Sequence, residues 1–269
     1  MTASILDHLD RLADEHPDKL RYSYLDVNGD PIESYTYASF LHRTQAIAGH
    51  LLKKGRFAAG DRVLLAYPPG LEMICAFFGC VRAGLIPVPV YPPSSRGFQS
   101  ALYKTVHIAK DCQAAGILTS RDYHASLKTN LARRGVSASG VDVDYISGLP
   151  WIATEDFVDT ISDRPPVDPS KILFLQYTSG STMEPKGVIV THENILNTYP
   201  LVIDHPAPVV VSWLPQYHDM GLIGCYLYPA LKGGTTYGFA PMDFIQRPIL
   251  WFNAITTYHA TAAAAPNFA

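Results

Sequence analysis

Residues 176–188, QYTSGSTMEPKGV, have the composition of a phosphate-binding loop. Four Ser and Thr hydroxyls, two glycines and one lysine fall within residues 178–187. Glycine allows backbone N–H groups to face a ligand, N–H groups and hydroxyls can surround phosphate oxygens, and lysine adds a point charge. Apolar and β-branched residues at 171–175 and 188–190 flank the segment, so the pattern predicts strand, loop and strand. The alternative is an ordinary surface loop, in which Ser, Thr and Gly are also common.

Two other motifs that bind nucleotides or present a nucleophile do not fit this sequence. A Walker A loop would need its second glycine where Pro185 stands. No G-x-S-x-G pattern occurs, so the chain has no nucleophile elbow for a catalytic serine.

A second candidate site lies at His218 and Asp219, which are adjacent in sequence. The apolar run at 209–213 precedes them, and Gly-Leu-Ile-Gly at 221–224 begins a predicted helix just after them. A metal centre is not indicated, because no second His or Cys stands at ligand spacing from His218. The alternative to a functional role is that His218 bonds a backbone group at a turn.

Several separate blocks of the chain resemble one enzyme superfamily. The pattern Tyr-Thr-Ser-Gly-Ser-Thr-x-x-Pro-Lys-Gly-Val, which begins at Tyr177, is similar to the phosphate-binding motif of the adenylate-forming enzymes. That superfamily includes acyl-CoA synthetases, peptide-synthetase adenylation domains and luciferases. The blocks at 65–70 with 87–93, at 212–224 and at 264–269 resemble one of its branches, the fatty acyl-AMP ligases. These blocks occur in order over nearly the whole chain.

The resemblance implies an ATP-dependent ligase of fatty-acid metabolism, or of polyketide or lipopeptide biosynthesis. Such an enzyme uses ATP and Mg²⁺ to convert a fatty acid into acyl-adenylate and pyrophosphate. It then passes the acyl group to the phosphopantetheine thiol of an acyl carrier protein. Catalysis of adenylation depends on positioning and on stabilising charge at the phosphoryl oxygens. There are two alternatives. One is a fatty acyl-CoA ligase, and the other is a non-catalytic acyl- or nucleotide-binding module of the same fold.

The same resemblance assigns roles to individual residues. Lys186 and His218 are the expected catalytic residues, and Thr182 is the expected contact of the metal ion. Met183 departs from the commonest loop pattern, in which many members have glycine, and this bears on the flexibility of the loop. The expected phosphate-binding residues are Thr178, Ser179, Gly180, Ser181, Thr182 and Lys186. The expected substrate-binding residues are His218, Asp219, Met220, Gly221, Leu222, Ile223, Ala263 and Ala264.

Composition limits the classes of partner. The chain of 269 residues has a formal net charge of −3, so its charge does not suggest a nucleic-acid partner. Its four cysteines lack C-x-x-C spacing and are expected to be buried free thiols, which fits the reducing cytoplasm. Residues 1–12 predict an amphipathic helix rather than a signal peptide. The longest apolar stretch, 73–90, is interrupted by Arg82, Gly84 and two prolines, so we expect no membrane insertion.

Helical and strand patterns alternate along the chain, which predicts an α/β fold of stacked, mostly parallel sheets flanked by helices. The residues from about 150 to 170 are rich in proline and aspartate and predict a connection. Helices are predicted at 3–16, 37–54, 71–82, 99–113, 121–135, 192–199, 221–231 and 248–258. Strands are predicted at 22–27, 34–37, 62–66, 85–90, 115–119, 171–175, 188–190, 209–213, 235–239 and 261–265.

The resemblance also implies how these elements are grouped. Residues 1–269 would be one adenylation (AMP-binding) domain, with about 65–190 in one subdomain and 1–60 together with 191–269 in the other. In the family, an adenine-binding loop, a Tyr-Gly-x-x-Glu block, a ribose-binding aspartate and a small domain with a contact lysine follow such a region. The 269 residues contain none of these. We therefore expect the chain to match roughly the first half of such an enzyme, and to be inactive alone in ATP–pyrophosphate exchange.

Overall fold

A computed structural model describes residues 4–53, 57–93, 97–134, 142–158, 168, 170–178, 185–202 and 204–267. Within these ranges the strands form two four-stranded sheets and one two-stranded hairpin. The strands are β1 (Leu20–Leu25), β2 (Pro31–Thr36), β3 (Arg62–Ala66), β4 (Ile86–Pro89), β5 (Gly116–Thr119), β6 (Trp151–Ala153), β7 (Ile172–Thr178), β8 (Lys186–Thr191), β9 (Val209–Ser212) and β10 (Thr235–Gly238). The helices are α1 (Ile5–Glu15), α2 (Tyr37–Lys53), α3 (Leu71–Arg82), α4 (Phe98–Asp111), α5 (Arg121–Arg134), α6 (Val143–Ser147), α7 (His192–Val202), α8 (Tyr228–Leu231), α9 (Pro241–Gln246) and α10 (Ile249–Thr257), with a π-helix (Met220–Leu227) directly before α8.

The first sheet combines strands from both ends of the chain. Its order is β2-β1-β10-β9, in which β1 pairs with β10 and β10 with β9 in parallel, while β1 and β2 form an antiparallel hairpin. Gly29 in the hairpin turn has a φ of 93°, a conformation that favours glycine. The strands predicted at 22–27 and 34–37 are confirmed as β1 and β2, which begin two and three residues earlier. The division into subdomains 65–190 and 1–60 with 191–269 stays a prediction.

The second sheet is wholly parallel, in the order β4-β3-β5-β6. The residues of β3 from Val63 to Ala66 are at most 1% exposed, as the unbroken apolar run predicts for a strand covered on both faces. Helix α3 is buried along its length except at Glu72, and it packs against α2. A Cβ at Gly79 would lie 2.4 Å from Cγ2 of Ile47, so this glycine allows the close approach of the two helices. The predicted α/β fold with mostly parallel sheets is confirmed.

The hairpin of β7 and β8 holds the two ends of the predicted phosphate loop. The strands pair antiparallel with Thr178 opposite Lys186, and β7 lies beside β4. The Tyr177 hydroxyl donates a hydrogen bond to the carboxylate of Asp111 on α4. Gly187, opposite Tyr177, leaves room for this ring, because a Cβ there would lie 2.9 Å from Cζ of Tyr177. These contacts fix the hairpin against α4.

The helix predicted at 221–231 is confirmed, but its first part is a π-helix. Pro229 has no N–H and cannot donate to the carbonyl of Cys225, as an α-helix would require. The Thr236 hydroxyl donates to that carbonyl instead, at 2.5 Å. The next carbonyl, that of Tyr226, accepts a hydrogen bond from the Tyr22 hydroxyl at 2.9 Å. Side chains of the first sheet thus donate hydrogen bonds to two carbonyls near the end of the π-helix.

Two predictions of secondary structure are wrong. The segment predicted as a connection at about 150–170 begins with β6, which adds to β5 in parallel. A strand of only three residues has too short a pattern to be recognised in sequence. The predicted strand at 261–265 forms a single bridge, between Ala262 and Val210. Alanine is a poor strand former, since its side chain covers little of a neighbouring strand.

The start of α7 offers a test of local stability. The Asn194 N–H donates to the Thr191 hydroxyl at 3.1 Å, and the Thr191 N–H donates to Oδ1 of Asn194 at 2.9 Å. Because Thr191→Ala leaves the Asn194 N–H without its side-chain acceptor, we expect a loss of about 1 kcal/mol in the free energy of unfolding, measured by urea denaturation. Thr198→Ala, at an exposed position in the interior of the same helix, should change stability by less than about 0.5 kcal/mol. Equal effects of the two variants would contradict a capping role for Thr191.

Candidate active site

A cavity of about 470 Å³ opens where β4 and β7 end. The carboxyl ends of strands are the usual position of ligand sites in α/β folds. One wall is the face of α4, another is the end of β7, and the third is the turn that contains His218. The lining residues are Pro89, Val90, Tyr91, Ala101, Lys104, Thr105, Ile108, Gln176, Tyr177, Thr178, Pro185, Tyr217, His218 and Asp219.

The two ends of the predicted phosphate loop lie at this cavity. Thr178 and Pro185 line it, and Lys186 begins β8 directly opposite Thr178. The side chains of Thr178 and Lys186 are both exposed. The remaining predicted phosphate contacts, Ser179, Gly180, Ser181 and Thr182, lie outside the described residues, and so does Met183.

His218 and Asp219 form a pair at the mouth of the cavity. His218 Nδ1 lies 2.6 Å from Oδ1 of Asp219, and the two side chains are 63% and 50% exposed. The same Oδ1 accepts a hydrogen bond from the Met220 N–H at 2.7 Å. His218 Nδ1 also lies 3.4 Å from the Met220 nitrogen. Because its contact with the Asp219 carboxylate is much shorter, we assign Nδ1 as an N–H donor to Asp219. The main partner of the His218 imidazole is therefore the Asp219 carboxylate rather than the backbone. The other ring nitrogen, Nε2, can contact a bound molecule.

Backbone and side-chain bonds hold this turn in place. The His218 N–H donates to the Pro215 carbonyl at 3.1 Å, and the Leu222 N–H donates to the His218 carbonyl at 2.8 Å. Oε1 of Gln216 accepts from the Gly70 N–H at 3.1 Å, which ties the turn to the start of α3. Backbone hydrogen bonds on either side of His218 and the bond to the Gln216 side chain thus position the histidine.

The residue before His218 contributes an aromatic side chain to the cavity. The Tyr217 ring packs edge-on against that of Tyr91, with 5.2 Å between centroids. Burial raises the pKa of Tyr217 to about 12, with the nearby Tyr91 as a smaller cause. The phenol is therefore neutral near pH 7 and can donate a hydrogen bond to a ligand.

The other predicted substrate-binding residues do not line this cavity. Met220 is 42% exposed, whereas Leu222 is fully buried in the main core. Gly221 is buried, and a Cβ there would lie 2.1 Å from the Pro215 carbonyl oxygen. Ile223 and Ala264 pack against the core from partly buried positions, and Ala263 is exposed. The structure thus brings together Thr178, His218 and Asp219 from the predicted set.

Eleven of the fourteen lining residues had no predicted role, and they include Tyr91, Lys104, Gln176 and Tyr217. Lys104 lies on α4 with Ala101, Thr105 and Ile108, at the spacing of one helical face. That spacing predicts a helix from the sequence. The residue types on this helical face do not indicate that the face lies opposite the end of β7. Gln176 and Tyr217 stand within the segments 176–188 and 212–224, and their polar side chains were the signal for a role there.

Two features are absent from the described part of the chain. It contains no group of three His, Cys, Asp or Glu side chains that could hold a metal ion. No helix within the described ranges is long and apolar enough to cross a membrane.

Comparison with known proteins identifies the family. A model of the family described as AMP-binding enzyme matches residues 9–268. The chain therefore belongs to the AMP-binding enzyme family.

The relatives include named acyl-activating ligases. The medium-chain-fatty-acid–[acyl-carrier-protein] ligase JamA of Moorena producens is 32% identical over 92% of this chain and 41% of its own length. The long-chain-fatty-acid–AMP ligase FadD26 of Mycobacterium marinum is 33% identical over 99% of this chain and 46% of its own. The crystal structure of a fatty acyl-adenylate ligase from L. pneumophila, in complex with acyl adenylate and pyrophosphate, has a TM-score of 0.85 at 34% identity, over 98% of this chain and 44% of that one. This chain spans less than half the length of each of these three relatives.

Proposed function

We propose that this chain forms the N-terminal part of a fatty acyl-AMP ligase. The full-length protein would activate a fatty acid with ATP, giving acyl-adenylate and pyrophosphate, and transfer the acyl group to the phosphopantetheine thiol of an acyl carrier protein. Membership of the AMP-binding enzyme family and likeness to proteins named as fatty-acid ligases support this proposal.

The observation that carries the proposal is the convergence of Thr178, His218 and Asp219 on one cavity. The hydroxyl belongs to the strand that enters the phosphate loop, and the imidazole is oriented by a carboxylate. In adenylation, the fatty-acid carboxylate attacks the α-phosphorus of ATP, so two anions must be held together while charge builds on the phosphoryl oxygens. When both imidazole nitrogens carry protons, Nε2 of His218 is a second N–H donor, and it would stabilise that charge together with the ammonium of Lys186.

The donor set of the cavity is compatible with magnesium. Mg²⁺ takes oxygen ligands and is commonly held by one or two protein oxygens together with substrate phosphates. Thr178 supplies a hydroxyl and Asp219 a carboxylate at the cavity. These two residues would hold the ion beside the proposed contact at Thr182, and the ion would neutralise phosphate charge.

The cytoplasm is the compartment that the cysteines favour. All four, Cys75, Cys80, Cys112 and Cys225, are free and buried. Thiols persist in this form where glutathione and thioredoxin keep the environment reducing.

The acceptor of the acyl group distinguishes the proposal from its alternatives. We expect the full-length protein, supplied with a fatty acid, ATP, Mg²⁺ and CoA, to accumulate acyl-AMP and to form little acyl-CoA, as measured by mass spectrometry of the products. Replacing CoA with a phosphopantetheinylated carrier protein should consume the acyl-AMP. Efficient formation of acyl-CoA would instead establish a fatty acyl-CoA ligase. A protein that binds ATP but shows no ATP–pyrophosphate exchange would be a non-catalytic binding module.

A further inference from the structure

Gln176 is a buried polar side chain at the cavity that the proposed reaction does not yet use. It is 5% exposed and contributes to the cavity lining. Because side chains alternate along a strand, Gln176 lies on the same face of β7 as Thr178, about 7 Å further back along the strand. It therefore occupies the wall between Thr178 and the turn that contains His218.

The orientation of the Gln176 amide is determined by its neighbours. Nε2 donates to the Tyr217 carbonyl at 3.0 Å and lies 3.5 Å from the carbonyl of Tyr177. Carbonyl oxygens only accept hydrogen bonds, so the nitrogen must be the atom that faces them. Oε1 is then buried without a donor among the described residues. Native proteins rarely leave a buried acceptor unpaired, so such an atom beside a cavity indicates a partner that arrives with the ligand.

We propose that Gln176 is a positioning residue for His218 and that its Oε1 accepts a hydrogen bond from the bound ligand. Nε2 holds the backbone of Tyr217, the residue before His218, against the strand that leads into the phosphate loop. The turn with the imidazole and the strand with the loop are thereby fixed relative to each other. The identity of the ligand rests on the proposed function, in which the O–H donors of the ATP–magnesium complex are its ribose hydroxyls and the water on its metal ion.

The first test needs no enzymatic activity. Hydrogen–deuterium exchange of residues 215–222 is measured in the wild-type chain and in Gln176→Leu. Loss of the bond to Tyr217 should speed exchange at the amides of His218 and Leu222 by about tenfold or more, since local opening controls their protection. Thr119→Val is the matched control, because it removes another buried bond from a side chain to a carbonyl, from Thr119 Oγ1 to Ala66 at 2.7 Å. The positioning role would be overturned if exchange in Gln176→Leu equalled that of the wild type. It would also be overturned if exchange at residues 215–222 became equally faster in both variants.

Gln176→Glu adds a control for shape. A protonated carboxyl can donate to the Tyr217 carbonyl as the amide does, whereas a carboxylate cannot. A carboxyl buried at this place is expected to titrate well above its ordinary range. Exchange at 215–222 in Gln176→Glu, taken relative to the wild type at the same pH, should therefore be near normal at about pH 5 and fast at about pH 9. A ratio that does not change with pH would argue against the donor role.

The second test measures coupling to His218 in the full-length protein. At saturating ATP, where the Oε1 contact no longer affects binding, Gln176→Leu should lower the rate of acyl-adenylate formation about tenfold in the wild-type background. The loss should be less than about twofold in the His218→Ala background, because a residue that acts through His218 has little left to position. Tenfold losses in both backgrounds would show that Gln176 acts independently of His218. If the wild-type protein forms no acyl-adenylate at all, the proposed function fails while the exchange result still decides the positioning role.

Titration calorimetry of the full-length protein identifies the donor for Oε1. Weaker binding of ATP to Gln176→Leu, both with and without Mg²⁺, would indicate a ribose hydroxyl. Weakening only in the presence of Mg²⁺ would indicate metal-bound water. Unchanged ATP affinity under both conditions would overturn the contact with the ligand.

Discussion

Lys186→Ala should lower the rate of adenylation by the full-length protein about ten- to a hundredfold. Lys186 begins β8 opposite Thr178, so its backbone is fixed at the edge of the phosphate loop. A charge-assisted hydrogen bond to phosphate is worth roughly 1.5–3 kcal/mol, and a contact that strengthens in the transition state gives this loss in turnover. A contact equally strong in the ground state would instead raise the Michaelis constant for ATP and spare turnover. The measurement is steady-state release of pyrophosphate.

Two further variants separate this role from a general effect of charge. Lys186→Arg should recover only part of the activity, because a planar guanidinium does not reproduce the geometry of an ammonium. Lys171→Ala removes the same residue type at the opposite end of the same hairpin, directly before Ile172, and should leave turnover within about twofold. Wild-type turnover and ATP dependence in a folded Lys186→Ala protein would show that this lysine is an ordinary surface residue.

Gly221→Ala should lower the free energy of unfolding by about 3 kcal/mol, which corresponds to a fall of roughly 6–12 °C in Tm. A Cβ at Gly221 would lie 2.1 Å from the carbonyl oxygen of Pro215 and 3.2 Å from that of Leu214. Both obstacles are backbone atoms, so the turn with His218 must move to admit a single methyl group. The measurement is thermal unfolding followed by circular dichroism.

Gly224 in the same π-helix provides the matched control. A Cβ at Gly224 has no atom within 4 Å, so the methyl group meets open space. Gly224→Ala should be neutral or stabilise the protein by up to about 1 kcal/mol, because alanine restricts the unfolded chain and favours helical structure. Equal loss of stability in both variants would show that the π-helix rejects side chains in general, and the explanation by the Pro215 carbonyl would be wrong.

The sequence predicted most of the fold because its elements are bounded by local signals. The predicted helix at 71–82 has the observed bounds of α3, since Gly70 precedes a mostly apolar segment and Gly84 follows it. The antiparallel partners β7 and β8 were predicted from apolar runs on either side of the loop. The π-helix was not predicted, because hydrophobic periodicity does not report which carbonyl each N–H reaches. Pro229 was the local signal that an α-helix would lose a bond.

The candidate site was predicted only where its residues stand in a motif. Thr178, His218 and Asp219 belong to two contiguous blocks and meet at the cavity. Lys104 and Tyr91 reach the same cavity from elements distant in sequence, and only the packing of α4 and β4 beside β7 brings them there. Leu222 occupies a position in the second block, yet it is fully buried in the core. A motif therefore identified the neighbourhood of the site more reliably than the direction of each side chain.

The first sheet has a consequence for synthesis of the protein on the ribosome. Tyr22 of β1 pairs with Thr236 of β10, so 214 residues (236 − 22) separate the partners. At roughly 5–20 residues per second, β1 emerges about 10–40 s before its parallel partner. During that interval the β1–β2 hairpin has no second neighbour, and its apolar residues Tyr22, Tyr24 and Leu25, which are buried in the finished fold, are open to other chains. Chaperone binding to the nascent N-terminus would shield this edge until β10 is made.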